Sequence, residues 1–163
     1  MPDDLYEQDI LAWSDHQAGL LRKVARGQRV NGVDWEHVVE EIEDVGLSEL
    51  NAVQSHLRQM LVHLFKVHSW PDHAAVQHWQ EEIAAFQAEA SQRFAPSMRQ
   101  RIDLDRLYAR ALKQLRAVDY GRPPPPWPTD CPLTVDQLLN DDAAVMQARL
   151  AAPGQTAPSE PLP

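Results

Sequence analysis

The chain has 163 residues, 44% hydrophobic and 24% charged, with 15 Lys and Arg against 24 Asp and Glu for a formal charge of −9. These values fit one soluble globular domain, and no run approaches the roughly 18–20 apolar residues of a membrane span. Its opening, Met1 to Glu7, is acidic where a signal or transit peptide would be basic and apolar, so a cytoplasmic protein without membrane contact is expected. A single cysteine, Cys131, can close no internal disulfide and build no cysteine-rich zinc site. Between Asp130 and Pro132 it also lacks a cationic neighbour to stabilise a thiolate.

Up to Gly121 the apolar residues follow a helical period. A first helix is expected from about Leu5 to Ala25, with Tyr6, Ile10, Trp13, Leu20 and Val24 on one face and Gly27 and Asn31-Gly32 beyond its end. Asp34 offers an N-cap for a short second helix with Trp35, Val38, Val39, Ile42 and Val45 inward, stopped or bent at Gly46. Ser48 can cap a third, whose stripe runs from Leu50 through Val53, Leu57, Met60 and Leu61 to Leu64 and ends near Ser69-Trp70-Pro71. A fourth is expected over about 72–93 with Val76, Trp79, Ile83, Phe86 and Ala90 inward. Pro96 suits the first position of a fifth, with Leu104, Leu107, Tyr108, Ala111, Leu115 and Val118 inward up to Gly121.

Proline marks the next boundary, because ten of the 13 prolines lie in 123–163. Pro123–Pro126 form a polyproline II rod, Thr134 can cap a short segment through Leu139, and residues 146–163 are expected to be a flexible tail. Five amphipathic helices joined by short loops must bury their faces on one another. The expected fold is therefore all-α: a helical bundle of about five main helices with a Pro-rich C-terminal extension. It forms one domain over 1–145, a helical body to about 121 followed by an extended segment and short helix over 122–145. No segment reads as a strand, and no GxGxxG, GxxxxGK[ST] or GxSxG motif is present.

Several motifs keep an order and spacing that resemble a family. These are Tyr6-Glu7-Gln8-Asp9 with Ala12-Trp13, then Val39 to Gly46, then Leu57 to Lys66 containing His63-Leu64-Phe65-Lys66, then Trp79, Ile83 and Cys131 to Val135. Over about 5–141 the sequence resembles the bacterial domain-of-unknown-function family 29, small helical proteins of proteobacteria and cyanobacteria. The resemblance implies an all-α fold and lends no established activity. Ala95 stands where the family pattern usually has Ser before the helix-opening Pro, giving up a cap worth about 1 kcal/mol. The proline rod and the residues beyond about 145 are departures from the pattern.

Three constellations could carry chemistry. Glu40, Glu41, Glu43 and Asp44 place four carboxylates in five residues, a set that suits a cation or a basic partner, or simply a solvated face. His56 and His63 share a flank of the third helix about 10.5 Å apart along the axis, too far for one ion. His63 with Glu41 from the neighbouring helix would make either a structural hydrogen bond or a mixed His/carboxylate site for a divalent metal, with His56 as a nearby general base. The Glu-x-x-His pair of di-iron bundles is absent. His68, His73 and His78 surround a turn and read as surface residues.

Charge is segregated, with twelve acids and four bases in 1–50 against three acids and eight bases in 93–122. Arg99, Arg106, Arg110 and Lys113 share a face, but the net charge of −9 repels nucleic acid. Core anchoring is the default expectation for Trp13, Trp35, Trp70 and Trp79, with Trp70 beside Pro71 the one that would meet a partner if exposed, and Trp127 is expected to pin the extended segment to the bundle. The leading expectation is a non-enzymatic module that binds a protein partner or itself. The alternative is a metal-dependent enzyme with Glu41 and His63 as ligands, and only that alternative calls for a cofactor.

Overall fold

A computed structural model of the protein describes residues 2–151, with side chains placed from Leu5 onward. Among them the structure is all-α: α1 (Pro2–Gln8), α2 (Ile10–Ala25), α3 (Trp35–Ser69), α4 (Val76–Arg93), a 3-10 helix (Pro96–Arg101), α5 (Leu104–Arg116), α6 (Val135–Asn140) and α7 (Ala143–Ala151). Within the span expected as one domain, two compact units form, Met1–Ser48 and Glu49–Pro163.

In the first unit the helix expected over 5–25 breaks at Asp9. Its carboxylate accepts the Ala12 N–H at 3.0 Å and so caps α2 as a new helix. The helix α1 packs on α2, burying Trp13 and half-burying Tyr6, whereas Ile10 and Val24 of the expected inward face are exposed. Gly27, at φ 76°, takes the left-handed conformation just beyond α2.

The expected break at Gly46 is overturned, since α3 runs without interruption from Trp35 to Ser69. A glycine in a helix interior costs only about 1 kcal/mol relative to alanine, too little to stop a helix whose neighbouring turns all bond. The expected inward set is also corrected. Val38 is buried, but Trp35, Val39, Ile42 and Val45 are 56%, 51%, 67% and 68% exposed.

The second unit holds the main core. The α3 stripe from Leu50 to Phe65 meets Trp79, Ile83 and Ala90 of α4, and Leu107, Tyr108, Ala111 and Leu115 of α5. The helix expected from residue 72 starts at Val76, after a turn in which the Trp70 N–H donates to Lys66 O and the His73 N–H to Trp70 O. The segment opened by Pro96 is a 3-10 helix, and the α-helix restarts only where the Asp103 carboxylate accepts the Arg106 N–H. Ala95 offers no side-chain cap, and its own N–H donates to Met98 Sδ.

Thr134 caps α6 as expected, with Gln137 returning the bond to the Thr134 N–H. From α4, Gln87 donates to Leu138 O and Asp141 O, and Ser91 donates to Leu139 O, satisfying carbonyls at the end of α6. The expected flexible tail is corrected over 146–151. Those residues belong to α7, whose Met146 and Leu150 are fully buried in the core. The rest of that expectation, 152–163, lies outside the described residues.

Candidate functional site

Polar side chains of the first unit converge on Asp34. Its Oδ1 accepts the His37 N–H at 3.4 Å, the expected cap of α3. Its Oδ2 accepts the His37 Nδ1–H at 2.7 Å and the Trp13 indole N–H at 3.1 Å. The Asp34 backbone N–H donates to Oε1 of the buried Gln17 at 3.0 Å. The hydrogen bond from His37 holds the Asp34 carboxyl below its ordinary range, and the same bond raises the His37 imidazole. Tyr6 stacks on His37 with ring centroids 3.9 Å apart and donates to Glu41 Oε1 at 2.7 Å. That bond to a carboxylate, joined by Glu40 and Asp44 nearby, pushes the Tyr6 phenol up to about 12.

Beside this network lies an unpartnered apolar surface. Trp35, Val39 and Ile42 follow one another at helical spacing along α3 and are exposed. A 530 Å³ cavity at the start of that face is lined by Val24, Val30, Val33 and Trp35 among others. Glu36, Glu40, Glu43 and Asp44 are exposed on the same stretch of helix.

In the second unit His63 is buried, and its Nδ1–H donates to Gln59 O at 2.8 Å. Its Nε2 lies 3.2 Å from Glu82 Oε2, and His78 Nε2 lies 3.8 Å from Glu82 Oε1. Burial holds the His63 imidazole below its ordinary value although the Glu82 carboxylate pulls the other way. The His56 and His63 rings both lie against Phe86, at 6.0 and 5.5 Å. The Lys66 amine, lowered by burial, sits 5.7 Å from the Trp79 ring centre.

Glu41 and His63, expected as a pair, have separate partners. The two residues stand on one helix, not on two helices facing each other, and each has its own partner, Tyr6 for Glu41 and Glu82 for His63. Among the described residues no three His, Cys, Asp or Glu side chains are placed to hold a metal ion. Trp70 is buried, in line with the default of core anchoring, and its indole donates to Arg122 O at 2.9 Å. Trp127 is half-buried against Phe65 and His68, as a residue pinning the extended segment would be. Burial pushes the Cys131 thiol up to about 11, keeping it protonated near neutrality.

The sequence marked Asp34 as a cap but missed His37 and Gln17. The Asp34-x-x-His37 spacing, which sets both side chains on one helical turn, was the available signal for the first. Nothing in the sequence pointed to Gln17, whose role depends on how the loop after α2 returns to it.

No helix of the described residues is long and apolar enough to cross a membrane. No curated protein matches the chain. Among solved structures the chain is similar to an alpha-helical protein of unknown function from Rhodospirillum rubrum. The likeness has 31% identity and a TM-score of 0.67, covering 89% of this chain and 96% of that one. The family model described as Domain of unknown function DUF29 matches residues 5–144, the span that holds both the Asp34 network and the His63–Glu82 pair, and the chain belongs to that family.

Proposed function

We propose that this chain is a non-enzymatic protein-interaction module of the bacterial cytoplasm, and that it works through the first turns of α3. The observation that carries this reading is the exposure of Trp35, Val39, Ile42 and Val45 on the first turns of α3, where Val38 alone is buried between residues 35 and 48. Large apolar side chains grouped on one exposed face mark interaction surfaces, whereas single ones need no explanation. The bonds from Trp13 and His37 to the Asp34 carboxylate, and from the Asp34 backbone N–H to Gln17 Oε1, fix where α3 begins. A lone cysteine without a disulfide supports a reducing compartment, and the Rhodospirillum rubrum likeness supports a bacterial source. Nucleic acid does not fit a chain of charge −9.

A photo-cross-linking residue placed at Val39 in the producing cell tests this reading. The expected result is a covalent adduct with one defined protein, identified by mass spectrometry, which disappears when Ile42→Asp is added. The same cross-linker at exposed Arg110 on α5 should give no such adduct. Equal labelling at both positions would reject the interaction face.

A further inference from the structure

We infer that the occupant of this face is an amphipathic helix of another protein, with an apolar stripe flanked by lysine or arginine; the inference rests on the interaction reading above. Trp35, Val39 and Ile42 form the stripe, and the helical period sets Glu36 and Glu43 along one border with Glu40 next outward. All three acids are exposed, and among the described residues none has a basic partner in an ion pair. A helix laid on the stripe would bring one of its flanks against these carboxylates. Basic flanks gain from them, and acidic flanks lose.

The same charges disfavour the other occupants. A second copy pairing through α3 about a two-fold axis, with the helices antiparallel, sets each flank against its own equivalent. Glu36 and Glu43 would then oppose Glu43 and Glu36 of the second copy, and two segments with twelve acids and four bases each would meet. The basic helix α5 of a second copy supplies charge but no stripe, because its exposed positions include Arg106, Ala109, Arg110 and Lys113 while its large apolar residues are buried. Residues 152–163 contain no lysine or arginine and so cannot complement the acids.

The test uses the full chain and two synthetic helical peptides with the same leucine stripe, one flanked by lysine and one by glutamate, followed by fluorescence anisotropy. The lysine peptide should bind at least about tenfold more tightly than the glutamate peptide, with affinity falling several-fold as salt rises. Ile42→Asp should abolish binding, and Glu36→Lys with Glu43→Lys should invert the preference. The charge-matched control Glu81→Lys with Glu89→Lys on α4 should leave it unchanged. Equal affinity for both peptides, absence of binding, or a preference that follows net charge in the control would each overturn the inference. So would a dimer in sedimentation that Ile42→Asp dissociates, since the occupant would then be a second copy. If any of these results came with a defined Val39 adduct in cells, the inference would fall and the interaction reading would stand. Loss of the adduct would remove the reading itself.

Discussion

Trp13 and Asp34 are joined by a hydrogen bond from the indole N–H to Oδ2 at 3.1 Å, to the same carboxylate that caps α3. One side chain thus fixes both the packing of α2 and the start of the helix that carries the exposed apolar face. Asp34→Ala should cost about 2 kcal/mol in denaturant unfolding, since it removes the cap and leaves a buried indole N–H without an acceptor. A change below about 0.5 kcal/mol would mean that neither bond contributes.

The same carboxylate gives a pH signature. His37 is raised by its bond to Asp34, so its contribution is complete below the ordinary value of 6.5 and is lost as pH rises through the folded value. Asp34 is lowered, so its contribution is present above the ordinary value of 3.8 and is lost as pH falls through the folded value. In Asp34→Asn the first dependence should vanish and the His37 midpoint should fall toward 6.5. Proton NMR of the histidine ring reads this directly, and an unmoved midpoint would show that the carboxylate does not set it.

His63 carries the opposite sign. Burial lowers it, so its contribution is present above 6.5 and is lost as pH falls through the folded value, where the buried ring must take a charge. With Nδ1–H committed to Gln59 O, the neutral ring turns its Nε2 lone pair toward Glu82, and a proton arriving there would bridge the two. Glu82→Gln removes the group that favours the charged form, so the His63 midpoint should fall further. Titration of His63 above 6.5 in the parent chain would refute this account.

The helical periods of the second unit were legible because its stripes are covered. Leu50 to Leu64, Trp79, Ile83 and Leu107 to Leu115 were read as inward and are buried. The same reasoning failed at Trp35, Val39, Ile42 and Val45, where an apolar period is genuine but no described part of the chain covers it. Periodicity reports that a face is apolar and not what buries it. A stop or bend at Gly46 would set Glu41 and His63 on facing helices. Once α3 continues through that glycine, Tyr6 and Glu82 become their partners. The helix α7 was missed because its short period is followed by proline, which reads as the start of a tail.

Gly46 itself gives a test of the continuous helix. A Cβ built there meets nothing within 4 Å, and its φ is not in the left-handed region. Gly46→Ala should therefore stabilise the chain by about 0.5–1 kcal/mol through helix propensity alone. Thermal unfolding would show the gain as a rise in Tm. A fall would mean that the glycine serves a bend or a close approach that α3 does not display.

Leu150 tests whether the core extends past residue 145. Its side chain is 1% exposed and shares the core with Met146, Leu138 and Leu139, while Gln87 and Ser91 of α4 hold the carbonyls just before α7. Leu150→Ala removes three buried carbons and leaves a cavity, so a loss of about 2–4 kcal/mol is expected in urea unfolding. Val145, on the same helix but 43% exposed, supplies the control: Val145→Ala should cost less than about 0.5 kcal/mol. Equal small losses at both positions would mean that α7 does not belong to the cooperative core. In that case the stability of the second unit would rest on α3, α4, α5 and α6 alone.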